Sequence, residues 1–378
     1  MIGRMTSRLS DLWTALWRPA RHALREHVPV LGRSLLLVLA LSGGASVVAL
    51  PVDGLYSQEI VVENQSEAER ERAYRDAFGR VIVKVTGERR WLEHPRIRDA
   101  VQRASTYVAE VSYQSAALER RVAVRFDQSL IDELLNRAQI PVWDRNRASV
   151  LLWVTVQTSD GSRAMLGSSS EHELLAQARE FAAERGVPVL IPLLDLTDRR
   201  MVSINQGWDL DADALREAGQ RYGADSVLAG RLLITPANEV VGLWKFVFRD
   251  QEHIFDHVDS RVETYMDFPL DEVTTRLAEH FGLVLSEFER EDEVMLRIDG
   301  ITDLANHTEL MRYLGSLSVI RDVNVSALRA DTIELRVRLA GTRQHLTEFI
   351  SLGRDLQPVN FELGAVTADL LHYRWTRQ

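Results

Sequence analysis

Seven consecutive residues, Val150-Leu151-Leu152-Trp153-Val154-Thr155-Val156, carry a single hydroxyl and no charge. A strand with one wet face alternates apolar and polar side chains. A near-continuous apolar run marks a strand covered on both faces, which requires helices on either side of its sheet. This run therefore commits the middle of the chain to a layered α/β arrangement with a partly parallel sheet.

The surrounding pattern agrees. Residues 55–63 read as a strand. Ser66 with Glu69 has the spacing of a capping box, and Tyr74, Ala77, Phe78, Val81, Ile82 and Val85 then recur at helical spacing until Gly87. Pro95 suits the first turn of a second helix. Residues 107–115 and 121–126 pair as a hairpin with Glu119-Arg120-Arg121 at its turn, and Ser129 is expected to cap a short helix. After the apolar run, the Gly- and Ser-rich stretch 159–170 reads as a loop. Helix (171–185), strand (187–194), helix (212–222) and strand (226–230) follow. Two further strands (240–248 and 253–258) and a long helix (269–288) complete this part. The acidic run 287–293 marks a boundary. Beyond it the order is strand, helix, strand, strand, helix, strand (294–298, 304–314, 320–326, 332–339, 342–352, 356–363), the βαββαβ order of a ferredoxin-like module. The expected fold class is α/β (α+β). Its divisions are a leader over 1–50, a first module over 51–147, a second over 148–290 and the ferredoxin-like module over 291–378.

The leader indicates a compartment. Arg33 precedes the apolar run 34–41; small residues follow, and Val47-Val48-Ala49 forms an A-x-A-like cleavage site before Leu50-Pro51. That is the order of a secretory signal, with cleavage expected after Ala49. Extended to Leu50, the run reads instead as a glycine-weakened inner-membrane anchor; either way the preceding arginines hold the N-terminus inside. Leu9, Leu12, Trp13, Leu16 and Trp17 share one helical face, which fits an interfacial helix. It fits equally well a stretch upstream of a start near Val28. The expected location is the periplasm, soluble or tethered.

Charge and composition exclude several chemistries. Net charge is −10, while residues 1–33 hold six arginines against two acids, so the body is more acidic than the whole. Such a body repels phosphate backbones, and no nucleic-acid partner is expected. Absence of cysteine removes disulfides, thiolate nucleophiles, Cys-type zinc sites and a lipid-bearing cysteine together. Neither lysine, Lys84 or Lys245, stands in a phosphate-binding loop, and G-x-G-x-x-G, G-x-S-x-G and H-E-x-x-H do not occur. His253 and His257 are four apart, but on a strand that spacing makes a polar edge and no metal site. Asp209, Asp211 and Asp213 begin like a calcium loop, yet Ala214 stands where glycine is needed and Gln220 where a bidentate Glu belongs. These acids favour the start of the following helix. Tyr222-Gly223-Ala224-Asp225 reads as a helix stop leading into a buried strand. No catalytic residue, metal or cofactor is expected.

The remaining candidate is Trp143, Asp144, Arg145, Asn146 and Arg147, a polar cluster beside an aromatic at a module junction, where binding sites tend to form. Packing and internal salt bridges are the plainer account of the same residues.

Several segments carry a family likeness: Leu55-Tyr56; Val83-Lys84-Val85-Thr86-Gly87; Gln139-Ile140-Pro141-Val142-Trp143 with Arg145-Asn146-Arg147; Val189-Leu190-Ile191-Pro192-Leu193-Leu194-Asp195; and Arg221-Tyr222-Gly223-Ala224-Asp225-Ser226-Val227-Leu228. In these the chain resembles the DUF2066 proteins, an uncharacterised family of exported proteobacterial proteins. The resemblance spans much of the chain and implies no catalytic residues. Residues 222–230 also look like part of the envelope modules of curli secretion, the TolB N-terminal domain and the flagellar T-ring. The function expected is a non-enzymatic module that binds or assembles envelope proteins. The alternative is a periplasmic small-ligand binder or enzyme with its site between the first two modules.

Overall fold

A computed structural model describes residues 52, 54–115, 120–284, 292–353, 355–359 and 370–376. Within it, the described residues belong to one compact unit. The leader with its Ala49 cleavage site, the turn at Glu119 and the acidic run 287–291 lie outside the described residues. The architecture is α+β with three sheets.

The first sheet holds β1 (Ser57–Val61), β3 (Arg120–Phe126) and β2 (Val108–Ser115), all antiparallel, in that spatial order. Helix α1 (Glu67–Thr86) lies against it and buries Ala77, Phe78, Val81, Ile82 and Val85. Ser66 caps α1 by accepting from the Glu69 N–H, but the Glu69 carboxylate reaches back to Glu63 instead of Ser66, so only half the capping box forms. Helix α2 (Pro95–Gln102) begins at its proline. Helix α3 (Gln128–Ala138) is capped by Asp127 and not by Ser129, which lies inside the first turn.

The second sheet has the order β5 (Arg163–Leu166), β4 (Val150–Gln157), β7 (Ser226–Ile234), β8 (Val240–Phe248), β9 (Gln251–Asp259). The short β6 (Val189–Leu190) adds to one end of β4. The apolar run is β4, parallel to β7 and buried on both faces. Helices α4 (Glu173–Arg185) and α8 (Asp267–Phe281) cover one face. Helices α5 (Leu196–Met201), α6 (Ile204–Asp209) and α7 (Ala212–Tyr222) lie on the other. The stretch 159–170 is not all loop. Asp160 accepts from Thr158 and Ser162, and Gly161 takes a φ of 82°, so the chain reverses into β5. Asp160-Gly161 is a hairpin-turn pair. Helices α5 and α6 have six residues each, too short for a helical period to emerge from sequence.

The third sheet reads β11 (Ile320–Arg329), β12 (Thr332–Leu339), β10 (Glu293–Asp299), β14 (Leu370–Trp375), β13 (Leu356–Pro358), with helices α9 (Leu304–Gly315) and α10 (Arg343–Gly353). The expected βαββαβ order is present, with one difference. The strand after α10 is only three residues long and sits at the sheet edge, where Pro358 removes no needed donor. The chain returns as β14, which takes the place beside β10 and runs parallel to it. The second and third sheets share one continuous apolar core, while the first has its own.

Gly87 ends α1 in the left-handed region (φ 77°) where the first module meets the second. A Cβ there would lie 2.3 Å from Ala278 Cβ and 2.7 Å from Trp143 Cε3. Gly87→Ala therefore adds backbone strain to overpacking and should cost about 2–4 kcal/mol. Urea unfolding measures this; an unchanged midpoint would refute the close approach.

Candidate functional site

Residues 142–149 lead from the first module into β4. Val142 and Leu283 exchange backbone hydrogen bonds (2.9 and 3.0 Å), and the Trp143 N–H donates to Val85 O (2.9 Å). The centre of this junction is Arg147. Its five N–H groups meet five carbonyls. Nη2 donates to Lys84 O (2.6 Å) and Trp143 O (3.2 Å), Nη1 to Arg185 O (2.8 Å) and Gly186 O (3.1 Å), and Nε to Asp144 O (3.0 Å). The last carbonyls of a helix lack intrahelical donors and carry its negative partial charge. Lys84 belongs to the end of α1, and Arg185 and Gly186 to the end of α4. One guanidinium thus closes two helix C-termini, while its carbon sits 4.1 Å from the Trp143 ring centroid. Arg185 continues the pattern with a bond to Gly87 O (2.8 Å) and an ion pair to Asp271.

The neighbouring side chains hold the third module. Asp144 accepts from the Ser318 N–H (2.8 Å) and hydroxyl (2.9 Å), and from the Arg145 N–H (2.5 Å). Burial raises its carboxyl above the ordinary range, with the Ser318 bonds pulling the other way. Asn146 donates to Tyr313 Oη (3.2 Å) and Phe349 O (3.0 Å). Trp143, Asp144, Asn146 and Arg147 are all buried, and Arg145 is half-buried. Of the five residues expected to form a binding surface, Trp143, Asp144 and Arg145 line a cleft, while the side chains of Asn146 and Arg147 turn into the protein. Their polar groups serve the union of three modules, the first with both the second and the third.

A cleft of about 180 Å³ opens beside them, lined among others by Gly54, Tyr56, Gln128, Trp143, Arg145 and Ser318. It lies between the first and third modules and not between the first and second. Pockets that enclose small molecules typically span about 300–1,000 Å³. Within this one Tyr56 donates to Asp132 (2.6 Å); burial and then the Asp132 charge raise the phenol, and burial raises Asp132. Its acids and phenol already bond to protein groups.

The other flagged motifs are structural. Asp211 caps α7 through the N–H groups of Asp213 and Ala214. Gly223 ends α7 in the left-handed region, and Asp225 accepts from the Ser149 N–H (2.8 Å) and hydroxyl (2.7 Å), tying the starts of β4 and β7. Tyr222 donates to Asp198 (2.6 Å) and accepts from the Leu193 N–H. His253 and His257 lie on one face of β9, about 13 Å apart by strand geometry. His253 meets Arg276 and Glu272, whereas His257 stacks on Phe268 (4.4 Å).

The surface that sequence reasoning did not single out is the β9 end of the second sheet. Among the described residues β9 pairs only with β8, which leaves its outer edge without a strand. The registers align Leu233, Val241 and Val258 in one row across the face of α5–α7, then Arg231, Leu243 and Asp256, then Ala229, Lys245 and Ile254. Helix α7 covers the far end of this face, where Val227 and Val247 are buried. Away from it the face is open: Leu233 is 38% exposed, Val241 41%, Ile254 55% and Val258 57%. Trp208 borders it on the β7 side, with the Arg231 guanidinium 6.0 Å from its ring centroid. The signal in the sequence was β8, with Val240, Trp244 and Phe246 on one side and Val241, Leu243 and Val247 on the other, which a strand with a single covered face does not need.

Residues 49–144 match the model of a domain of unknown function, DUF8605, a different family model from the DUF2066 family expected from sequence. That stretch spans the first module and ends at Asp144. No curated protein matches the chain. Among solved structures, the lipoprotein GNA1162 from Neisseria meningitidis superposes with a TM-score of 0.19 and 14% identity, over 35% of this chain and 95% of its own. So loose a superposition carries no argument about fold or role.

Two predictions follow from the junction. Arg147→Lys keeps the charge but offers three donors to five carbonyls, and should cost about 2–4 kcal/mol in denaturant unfolding. A loss within experimental error would mean that the carbonyls find other donors. Lys84 donates to Ser57 O (3.1 Å), and burial, aided by the charge of Arg147, lowers its pKa to about 8. The unfolded chain then holds the extra proton between that value and the ordinary 10.5. Stability should therefore rise with pH above about 8, by up to about 1.4 kcal/mol per pH unit. Lys84→Met should flatten the rise; parallel profiles for the two proteins would show that Lys84 titrates normally.

Proposed function

We propose that this protein is a non-enzymatic docking module of the cell envelope, working outside the inner membrane and binding another protein along β9. The observation that carries this reading is the open strand edge continuous with an uncovered apolar sheet face. A free edge offers a row of backbone donors and acceptors, and natural proteins cover or blunt it unless it has a use. An extended partner added there gains main-chain hydrogen bonds, and apolar side chains beside the edge give the complex its area. Trp and Arg, here Trp208 with Arg231 of β7 on the inner side of the open face, are the residue types that dominate interface energetics.

The location rests on the charged, apolar, small-residue order before Leu50. No helix among the described residues is long and apolar enough to cross a membrane. At the junction the bonds of Asp144, Asn146 and Arg147 to protein groups favour this reading over a ligand site.

A photo-cross-linking residue at Ile254, in cells, tests the proposal against the same residue at Leu304, exposed on α9 of the third module. Ile254 should yield a discrete adduct with an envelope protein that Leu304 does not. Identical adducts from both sites, or none from Ile254 in a correctly exported protein, would overturn it.

A further inference from the structure

The chemistry of β9 narrows what can bind there. Its sequence, Gln251-Glu252-His253-Ile254-Phe255-Asp256-His257-Val258-Asp259, places Glu252, Ile254, Asp256 and Val258 on the open face. Acid and apolar side chains alternate along that face, so the acids fall four residues apart. On the opposite face His253, Phe255 and His257 form a half-buried row, with Phe255 and His257 against Phe268. A strand added to this edge meets both rows, since its own side chains alternate between the same two faces.

We infer that the occupant of β9 is an extended segment with a basic residue at every fourth position, an apolar residue between them on the same face, and apolar or β-branched residues on the other. This deepens the docking function proposed above and rests on it. Directly opposed charges on neighbouring strands attract when opposite and repel when alike. A basic side chain facing Glu252 and another facing Asp256 satisfies both acids at once, in either strand direction, because the spacing is the same read forwards or backwards. Glu252 already meets Arg216 (2.5 Å) and Lys245 (3.2 Å), whereas Asp256 is exposed and faces Leu243 across the β8 register. Asp256 is therefore the stronger selector.

A second copy of the chain fits poorly. β9 contains neither lysine nor arginine. Antiparallel self-pairing on one face sets each acid against an acid or an apolar residue in every register. The acids thus guard the edge against its own kind and admit a basic strand.

The test uses the purified full chain and two nine-residue peptides, matched to β9 in length. Both alternate Thr and Val; one carries two lysines four residues apart and the other two glutamates at the same places. Fluorescence anisotropy should show the lysine peptide binding about tenfold tighter, with the preference shrinking in high salt. Asp256→Lys should reduce the preference to near unity, and Asp256→Asn should fall between the two. Equal binding of both peptides, or binding of neither, overturns the inference. Self-association that Ile254→Lys abolishes in sedimentation also overturns it and assigns the edge to a second copy. An Ile254 adduct in cells combined with equal peptide binding leaves the docking function standing and removes only the charge rule. A lysine preference with no adduct in cells does the reverse.

Discussion

The guanidinium of Arg147 holds this structure together at the place where its modules meet. Two helices, α1 and α4, end within a few ångströms of each other, and both present carbonyls without donors. Two like helix ends repel, and buried carbonyls left unbonded cost about 1–3 kcal/mol each. A single planar cation with five N–H groups answers both difficulties. No other side chain has that donor count in one rigid plane. The Trp143 ring lies against the same guanidinium, so the cation is closed off from water by an aromatic face that favours it.

Organisation of the rest follows from that centre. Asp144 and Asn146 flank Arg147 in sequence and reach the third module through Ser318, Tyr313 and Phe349, so one short linker ties the first module to both of the others. The second and third modules then share a core, which fixes the second sheet by the face beneath α4 and α8. Among the described residues, what remains without a neighbouring strand is the edge of that sheet at β9, three strands in sheet order from β4, which the buried polar centre leads into.

Local structure was largely legible because local rules govern it. The β4 run, the Gly87 and Gly223 helix stops, the Pro95 start and the hairpin of β2 and β3 each follow from a few adjacent residues. The failures have reasons of the same kind. Helices α5 and α6 are shorter than the window in which a period can be recognised. β5 was hidden in a polar stretch because its four residues have only one partner strand and little to bury. Ser129 and Asp127 are both good caps, and only the direction of the chain leaving β3 selects the aspartate. The burial of the candidate cluster was not legible, for a deeper reason. Charged residues are rarely fully buried unless paired, and whether Asp144 and Arg147 find partners depends on residues as far away in sequence as Ser318 and Lys84.

By itself, the sequence determined the α+β class, the order of its longer elements and the chemistries its residue types exclude. These depend on periodicity, capping and composition, which are properties of neighbouring residues. Tertiary structure alone decided that the Trp143–Arg147 cluster is a buried junction, that β14 takes the slot beside β10, and that β9 ends its sheet with one face open. Each of these outcomes concerns which distant surface covers which. The energy that settles that question comes from contacts across hundreds of residues, and no local pattern records it.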